Sequence, residues 1–403
     1  MPSKKLYQQD KNESQSSSYE IPFKVTKTSI DLDIPDSNKE ESSADMENEN
    51  FSEIEKLRKE IQEWKEKHRN LVEAWKKETD ASQKKTECET VLLLSSSSVQ
   101  EDAKKCKMLT GLGWDTFDVL YNFMKPQIKS CSSSQAKLPV KEQLFITLVK
   151  LRQNPSVDLI CHLLGIARST FVDIFCRWLN LLHAKIGFLV HWPDRDVIFK
   201  TVPPIFRAKY PRLTCIVDCF EIKIEAPKPH SARAATYSSY KKSTTVKFFI
   251  ACHPAGAITY LSPAWGGRAS DVEIVRRSNF MTYKHFMPGD QILADRGFTL
   301  HDDFAARVQA QLITPEFMKG KSQMPAEEVE RSREVSNIRI HIERVIGILK
   351  NRYHILDGPM QLGFIKTRKE EAGGSDIAKI DKIVNVCAAL VNMEGGVVYN
   401  EEH

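Results

Sequence analysis

The chain has 403 residues, of which 41% are hydrophobic and 28% are charged, as expected for a globular protein with a real core and one to three domains. Its net charge of +5 is unevenly distributed. Residues 1–50 contribute −5, so the rest of the chain carries +10, which weakly favours a polyanionic partner. No apolar stretch approaches the ~20 residues needed to cross a bilayer, so we expect no contact with a membrane.

The cysteines exclude a conventional zinc site. Nine cysteines form no CxxC pair and no cluster with zinc-ligand spacing. Cys215 and Cys219 lie in an apolar run and are expected to be buried free thiols, with a metal site as the alternative. Because their number is odd and no signal peptide is evident, the cysteines indicate a reducing compartment. The composition therefore predicts a soluble intracellular protein.

The N-terminal segments differ in pattern. Residues 1–50 are rich in Ser, Asp, Glu and Asn and predict a disordered acidic tail. We place a coiled coil at residues 51–94 and expect a homodimer through residues 54–75, with a single solvated helix as the alternative. The run Ser95–Ser98 predicts a linker over 95–109. The heptad positions that carry the coiled-coil prediction are Ile54, Leu57, Ile61, Trp64, His68, Leu71 and Trp75.

Residues 110–190 have helical periodicity throughout. A short helix ending at Leu164, a turn at Gly165 and a second helix from Arg168 are typical of a helix-turn-helix. A plain helical bundle is the alternative, because helix-Gly-helix sequences are common. If the motif binds DNA, the first turn of its second helix would supply the contacts, through Arg168, Ser169 and Thr170.

After Pro203 the periodicity becomes that of strands, and we expect one α/β domain over residues 200–395. Three antiparallel strands followed by alternating helices and strands predict a mixed sheet flanked by helices. Pro254-Ala255-Gly256 predicts the hairpin turn between the second and third strands. The expected strands are 213–224, 245–252, 257–262, 291–294 and 311–314, and the expected helices start at Asp271 and cover 301–310, 326–350 and 377–393.

Three carboxylates stand out against their surroundings. Asp218 lies inside an apolar strand, where burying a charge is costly unless a cation or hydrogen bonds compensate. Asp295 follows the fourth strand, although it also suits a turn before Gly297. Glu343 borders the apolar stripe of the long helix, although it also suits a solvated helix face. Glu221 is three residues from Asp218 and should project from the opposite face of the sheet.

The three acids together are a candidate metal centre. Carboxylates from two strands and a following helix can hold two divalent cations for phosphoryl transfer. We therefore expect Asp218, Asp295 and Glu343 to be both metal ligands and catalytic residues. Asp271 is a candidate accessory residue, but as the first residue of a helix it is better interpreted as an N-cap.

Five motifs in order resemble a known family. The motifs are Asp218-Cys219-Phe220-Glu221, Tyr237-Ser238-Ser239-Tyr240-Lys241-Lys242, Trp265-Gly266-Gly267-Arg268-Ala269-Ser270-Asp271, Ala294-Asp295-Arg296-Gly297-Phe298 and His341-Ile342-Glu343-Arg344-Val345-Ile346-Gly347. This series is similar to the DDE superfamily endonuclease domain of Harbinger-like eukaryotic transposases, closest to the branch whose relatives often carry a THAP zinc finger. The resemblance covers residues 213–393, and the helix-turn-helix at 138–185 resembles the domain that precedes it in that family.

The resemblance implies a fold class, a reaction and a location. The fold is mixed α/β, with a ribonuclease H-like catalytic domain preceded by an all-helical helix-turn-helix domain and a short coiled coil. The reaction is cleavage or strand transfer on DNA in the nucleus, with the catalytic triad on the three acids and Mg²⁺ or Mn²⁺ as the cofactor. The sequence has no Cys/His set for a THAP finger, which suggests a separate DNA-targeting partner. A catalytically silent domesticated transposase, acting in DNA binding, regulation or coiled-coil interaction, is the alternative.

Basic and aromatic residues near the strands are expected to contact DNA. Cationic side chains bind phosphates, and exposed aromatic rings stack on bases. The expected phosphate contacts are Lys241, Lys242, Lys247, Arg268 and Arg296, and the expected stacking residues are Tyr237 and Tyr240.

Overall fold

The computed structural model describes residues 55–78, 94–100, 102–128, 138–315, 341–365 and 377–394. The chain divides into two compact units, Met1–Thr79 and Asp80–His403. In the first unit, helix α1 covers residues 55–78 and all its side chains are exposed. The predicted helical pattern is confirmed over these residues. The predicted disordered tail at 1–50 lies outside the described residues, as do positions 51–54 and 79–93 of the predicted coiled coil.

The second unit begins with a helical region. α4 is its central helix, because its nine consecutive residues Gln143–Leu151 are all buried. A helix buried on every side must be surrounded by others, and α2, α3 and α6 pack around it. The helices of this region are α2 (Ala103–Thr110), α3 (Trp114–Ile128), α4 (Val140–Gln153), α5 (Val157–Leu164) and α6 (Arg168–Ile186).

The predicted linker over residues 95–109 is instead a packed segment. It contains a 3-10 helix at Ser97–Val99 and most of α2, and the side chain of Val99 is fully buried. The serines are anchored, since the Ser96 backbone N–H donates to the Glu142 carboxylate at 2.9 Å. A run of serines forms an exposed linker when water satisfies its polar groups. Here a carboxylate of α4 takes the place of water as the hydrogen-bond partner.

The two helices of the predicted helix-turn-helix meet at a sharp angle. α5 ends at Gly165, which has a positive φ of 60°. The segments Val157–Leu164 and Arg168–Leu189 are bent by 107° relative to each other, within the range of helix-turn-helix motifs. Within the described residues, no single helix has the length and apolar composition to cross a membrane, although this bent pair meets both criteria when its helices are taken together.

A mixed sheet forms the centre of the C-terminal half. β1 is its middle strand, antiparallel to β3 on one side and parallel to β6 on the other. β3 also pairs with β2, β4 and β5, and β6 pairs in parallel with β7. The five expected strands are confirmed, while β2 and β5 were not expected. The strands are β1 (Leu213–Lys223), β2 (Tyr237–Ser238), β3 (Ser243–Cys252), β4 (Ile258–Leu261), β5 (Trp265–Gly266), β6 (Gln291–Ala294) and β7 (Gln311–Ile313).

Helices cover both faces of the sheet, and we call these the α12 face and the α10 face. On the α12 face, Ile216 and Phe220 of β1 share a core with Ile342 of α12. On the α10 face, Val217 of β1 shares a second core with Ile274 of α10. The helices are α7 (Arg195–Thr201), α8 (Pro204–Lys209), α9 (His230–Thr236), α10 (Asp271–Arg277), α11 (His301–Val308), α12 (residues 341–352) and α13 (Lys379–Met393).

The helical region and the sheet share a single core. Phe145 of α4, Trp178 of α6, Ile216 of β1 and Val384 of α13 all belong to the buried cluster on the α12 face. The two regions were expected as separate domains, at 110–190 and 200–395. Because they bury their apolar side chains against each other, we describe them as one structural unit.

Candidate functional site

Two of the three predicted acids lie side by side on neighbouring strands. β1 and β6 are parallel, and Val217 of β1 pairs with Ala294 of β6. Asp218 and Asp295 each follow this pair by one residue, where β6 ends. Adjacent strands lie ~4.8 Å apart, so the two acids are separated by about one strand spacing.

Both acids project from the same face of the sheet. Ile216 and Leu293 lie two residues before them and are both buried in the core on the α12 face. Since side chains alternate along a strand, Asp218 and Asp295 point to that face as well. Both are only partly buried, so this edge of the sheet is open to solvent.

The two carboxylates are held in the same way. The Asp218 Oδ1 accepts a hydrogen bond from the N–H of Cys219 at 2.7 Å, and the Asp295 Oδ1 accepts one from the N–H of Arg296 at 2.6 Å. The main-chain carbonyl of Asp295 also accepts the N–H of Phe298 at 3.0 Å, so the turn interpretation of Asp295 is correct for its backbone. Its side chain is still directed to the same face as Asp218.

The third acid lies on a helix that crosses this face. α12 is fixed at one end by the His341 ring, 4.9 Å from the ring of Phe206, which lies just before β1. Its other end is fixed by Lys350, whose Nζ donates to the backbone carbonyl of Glu221 at 2.7 Å. Glu343 itself is exposed, as expected for a residue at the border of the apolar stripe.

The described residues include no group of three His, Cys, Asp or Glu side chains close enough to hold a metal ion. The structure thus brings Asp218 and Asp295 together, whereas Glu343 does not join them in one ligand cluster. Oxygen-only donors suit Mg²⁺, which proteins often bind through one or two carboxylates while water and phosphate oxygens complete the shell. The pair of aspartates therefore fits Mg²⁺, and the same donors suit Mn²⁺.

Asp271 differs from both of its expected roles. The N-cap of α10 is Ser270, whose Oγ accepts the N–H of Glu273 at 3.1 Å. The Asp271 carboxylate accepts a hydrogen bond from Lys247 Nζ at 3.0 Å, and that ammonium lies 3.7 Å from Glu221. Lys247 and Glu221 pair across β1 and β3 on the α10 face, opposite to Asp218. The structure therefore does not bring Asp271 to the two aspartates.

Lys247 was expected to contact a phosphate of DNA. Its side chain is instead largely buried. Burial lowers the pKa of Lys247, but the hydrogen bond and charge of Asp271, with the charge of Glu221, outweigh burial and raise it. Its ammonium also donates to the carbonyl of Ala269 at 3.0 Å. A lysine with these partners serves packing between β1, β3 and α10 and not DNA.

The predicted DNA-contact residues of the helix-turn-helix are exposed. Arg168, Ser169 and Thr170 form the first turn of α6 and face solvent. The Arg168 guanidinium pairs with Asp158 of α5 at 2.6 Å, and both side chains are exposed. Such a surface pair is weak, so a phosphate can replace the carboxylate at little cost.

The other predicted DNA contacts lie around the turn between β2 and β3 and after β5 and β6. Lys241, Lys242, Arg268 and Arg296 are all exposed. Tyr240 is 82% exposed, and the Lys241 ammonium lies 4.8 Å from the centre of its ring. This surface combines cations with an aromatic ring, as protein surfaces that bind nucleic acid do.

A basic groove between α9 and β5 includes residues that the sequence did not suggest. It has a volume of about 530 Å³. His230 and Arg233 of α9 were missed because α9 is short and lies between a Pro-rich segment and β2. The repeated basic residues between positions 228 and 242 were the available signal. The groove is lined by His230, Arg233, Ala234, Tyr237, Ser239 and Arg268.

Comparison with protein families gives two matches. Residues 217–392 match the DDE superfamily endonuclease, and residues 136–188 match the helix-turn-helix of DDE superfamily endonuclease. No curated protein and no solved structure matches the chain. The predicted helix-turn-helix is confirmed, and the endonuclease match spans Asp218, Asp295 and Glu343. Residues 217–392 therefore form a DDE superfamily endonuclease domain, preceded at residues 136–188 by the helix-turn-helix that accompanies that domain.

Proposed function

We propose that the protein is a metal-dependent DNA endonuclease of transposase descent, with Asp218, Asp295 and Glu343 as its catalytic triad. The observation that carries this proposal is the register of β1 and β6, which sets the two aspartates next to each other on one face. Two carboxylates at about one strand spacing repel each other, and a cation bound between them would offset that repulsion. The match to the DDE superfamily endonucleases gives a functional reason for a cation at this position.

The position of α12 supports the third member of the triad. From Lys350 back to Glu343 is seven residues of helix, a rise of about 10 Å. From Glu221, which Lys350 contacts, back to Asp218 is three residues of strand, again about 10 Å. The His341–Phe206 contact indicates that α12 runs in the direction of β1. These lengths support a position for Glu343 level with Asp218 along the sheet.

The chain's own groups have separate tasks in this reaction. The carboxylate oxygens of Asp218, Asp295 and Glu343 would hold the ion, and the N–H groups of Cys219 and Arg296 orient the two aspartates. Mg²⁺ held there would lower the pKa of the attacking water or DNA 3′-hydroxyl and neutralise the leaving oxygen. Apolar side chains fill the core on the α12 face next to the aspartates. A phosphodiester must therefore approach from the open edge of the sheet.

The arrangement of the rest of the chain suits a DNA substrate. We propose that α6 binds duplex DNA through Arg168, Ser169 and Thr170, and that Lys241, Lys242, Arg268 and Arg296 bind phosphates of the same substrate. A central strand that carries Asp218, in a sheet of antiparallel and parallel strands, supports a ribonuclease H-like fold. The Harbinger-like branch, a nuclear location and a separate DNA-targeting partner are further parts of this proposal.

We also propose that α1 forms a parallel homodimer. Its heptad side chains Leu57, Ile61, Trp64, Leu71 and Trp75 are each more than half exposed. Glu60 and Lys65 occupy the g and e positions that face each other between parallel helices, and their charges are opposite. A dimer would hold two nucleases, one for each end of a DNA segment.

The test is cleavage of duplex DNA by the full chain in Mg²⁺ or Mn²⁺. Asp218→Asn and Asp295→Asn should each reduce nicking at least about a hundredfold, because either change removes charge that holds the ion. Glu343→Gln should have a similar effect. The matched control is Asp302→Asn, an exposed acid of α11 that should cut like the wild type. Chelation by EDTA should abolish cleavage, while circular dichroism shows that each variant is folded.

Two outcomes would contradict parts of this proposal. DNA binding without cleavage in either metal, unchanged by all three substitutions, would favour the catalytically silent alternative. Loss of cleavage in the two aspartate variants but not in Glu343→Gln would leave the aspartates as the metal site and remove Glu343 from it.

A further inference from the structure

The basic groove between α9 and β5 is built by a close contact of two backbones. The Arg268 backbone N–H donates to the carbonyl of Ala235 in α9 at 3.3 Å. A Cβ on Gly266 would lie 2.3 Å from that same carbonyl oxygen, so only glycine permits this approach. The Gly-Gly-Arg sequence therefore brings Arg268 beside α9 and completes the groove.

The charged groups of the groove are all of one sign. Its lining contains the guanidinium groups of Arg233 and Arg268 and the imidazole of His230, and none of the lining residues is acidic. The Arg233 Nε donates to the carbonyl of Pro227 at 3.3 Å, which sets the direction of its side chain. Two guanidinium groups in the lining of one groove are suited to a phosphate, whose oxygens accept their hydrogen bonds.

An aromatic ring lies beside these cations. Tyr237 lines the groove and is 48% exposed. In duplex DNA both faces of each base are covered by its neighbours, so an aromatic side chain can stack only on a base that has left the stack. A phosphate and a single exposed base are the parts of an unpaired nucleotide, and a groove of about 530 Å³ has room for one.

The sheet fixes the distance from this groove to the aspartates. Tyr237 pairs with Thr244 of β3, and Asp218 pairs with Ile250 of the same strand. These positions are six residues apart on β3, a distance of about 20 Å. Stacked nucleotides rise by about 3.4 Å each, so 20 Å corresponds to about six nucleotides.

We propose that the groove binds an unpaired nucleotide of the DNA substrate, about six nucleotides from the phosphate that is cut. This inference rests on the proposed function, because it assigns a subsite for the same substrate. A substrate with a single-stranded segment next to the cleavage point would occupy both sites, whereas a continuous duplex would leave the groove empty.

The experiment measures binding in EDTA, so that cleavage does not contribute. Fluorescence anisotropy compares a blunt duplex with the same duplex carrying a single-stranded extension of about ten nucleotides, a length that exceeds the inferred spacing. Tyr237→Ala should weaken binding of the extended DNA about fivefold or more and leave the blunt duplex unchanged. Tyr237→Phe keeps the ring and should bind like the wild type. Arg268→Gln should lower the slope of log affinity against log salt by about 0.7, the value for one phosphate of a single strand.

Matched controls come from the loop before β6. Tyr283 is 65% exposed and Lys284 is exposed, so Tyr283→Ala and Lys284→Gln remove an aromatic ring and a positive charge elsewhere on the surface and should change neither affinity. Equal binding of both DNAs by the wild type, or equal loss on both DNAs in Tyr237→Ala, would overturn the nucleotide subsite. Cleavage is scored separately. An enzyme that cuts DNA but lacks the extension effect refutes only this inference, and one that shows the effect without cutting refutes only the proposed nuclease.

Discussion

Two acids of β1 have different environments although they are three residues apart. Glu221 projects from the α10 face, where it accepts hydrogen bonds from Ser238 at 3.1 Å and Thr245 at 2.7 Å. Its partner across the strands is Lys247. Asp218 projects from the other face, where its neighbour is a second aspartate. Side-chain alternation along one strand thus separates an acid that stabilises the sheet from the acid that we propose for catalysis.

At the residue scale we predict that Lys247→Met destabilises the protein by about 3 kcal/mol, because it leaves Glu221 and Asp271 without their cation. The Glu221 side chain is only 7% exposed, so water cannot replace the ammonium. Urea denaturation measures the change in the free energy of unfolding. Because the pKa of Lys247 is raised in the folded state, the advantage of the wild type should be complete below the ordinary pKa of 10.5 and be lost as the pH rises through the raised pKa.

Asp271→Asn is the control for this change. Asp271 is 36% exposed, and its replacement leaves Lys247 paired with Glu221, so the loss of stability should be clearly smaller. If Lys247→Met were as stable as the wild type, the network would not stabilise the junction of β1, β3 and α10.

At the scale of elements, the longer strands and helices could be predicted because their apolar residues have a regular period. β1, β3, β4, β6 and β7 all follow the expected ranges closely. β2 and β5 have two residues each, too few for a pattern, and they exist because they pair with β3. The packed segment at 95–109 was missed because the partner of Ser96 is Glu142, 46 residues away. Contacts over such separations leave no local signal.

The candidate site shows the same division. Each acid could be chosen from its surroundings, since Asp218 is a charge in an apolar strand. That Asp218 and Asp295 are neighbours depends on the pairing of Val217 with Ala294, which the sequence did not specify. Asp271 was misjudged because its partner Lys247 comes from another strand. Local sequence thus identified the acids, while strand register decided which of them lie together.

Also at this scale we predict that α1 associates in parallel. Lys65→Glu places an acid opposite Glu60 of the second copy in each of two g–e pairs, so it should weaken the dimer several-fold, at about 0.5 kcal/mol per pair. The double variant Glu60→Lys/Lys65→Glu restores opposite charges and should recover the wild-type affinity. Sedimentation equilibrium of the full chain measures both. A monomeric wild type would instead support the single solvated helix, and a double variant no better than the single one would contradict the parallel arrangement.

At the scale of the whole molecule, α13 joins the helical region to the sheet. The Asn392 side chain donates to the carbonyls of Leu189 and Ile258, both at 2.9 Å, and accepts the N–H of Ile258 at 3.0 Å. Lys382 donates to Asn180 of α6 at 2.8 Å. α6, the proposed DNA-binding helix, and the two aspartates are therefore held at a fixed separation by packing and not by a linker. A fixed separation would set the distance between the bound DNA site and the phosphate that is cut.

We therefore predict that a destabilising substitution in the core of the helical region also destabilises the sheet. Trp178 of α6 is 2% exposed, and Trp178→Ala should cost about 3–5 kcal/mol. If the core is shared, native-state hydrogen exchange should show the same loss of protection in the amides of α4 and of β1, because both open in one cooperative step. Val172→Ala, at a 41% exposed position of α6, should change neither. Unchanged protection of β1 in Trp178→Ala would mean that the two regions unfold independently, and the fixed separation of DNA binding and cleavage would lose its physical basis.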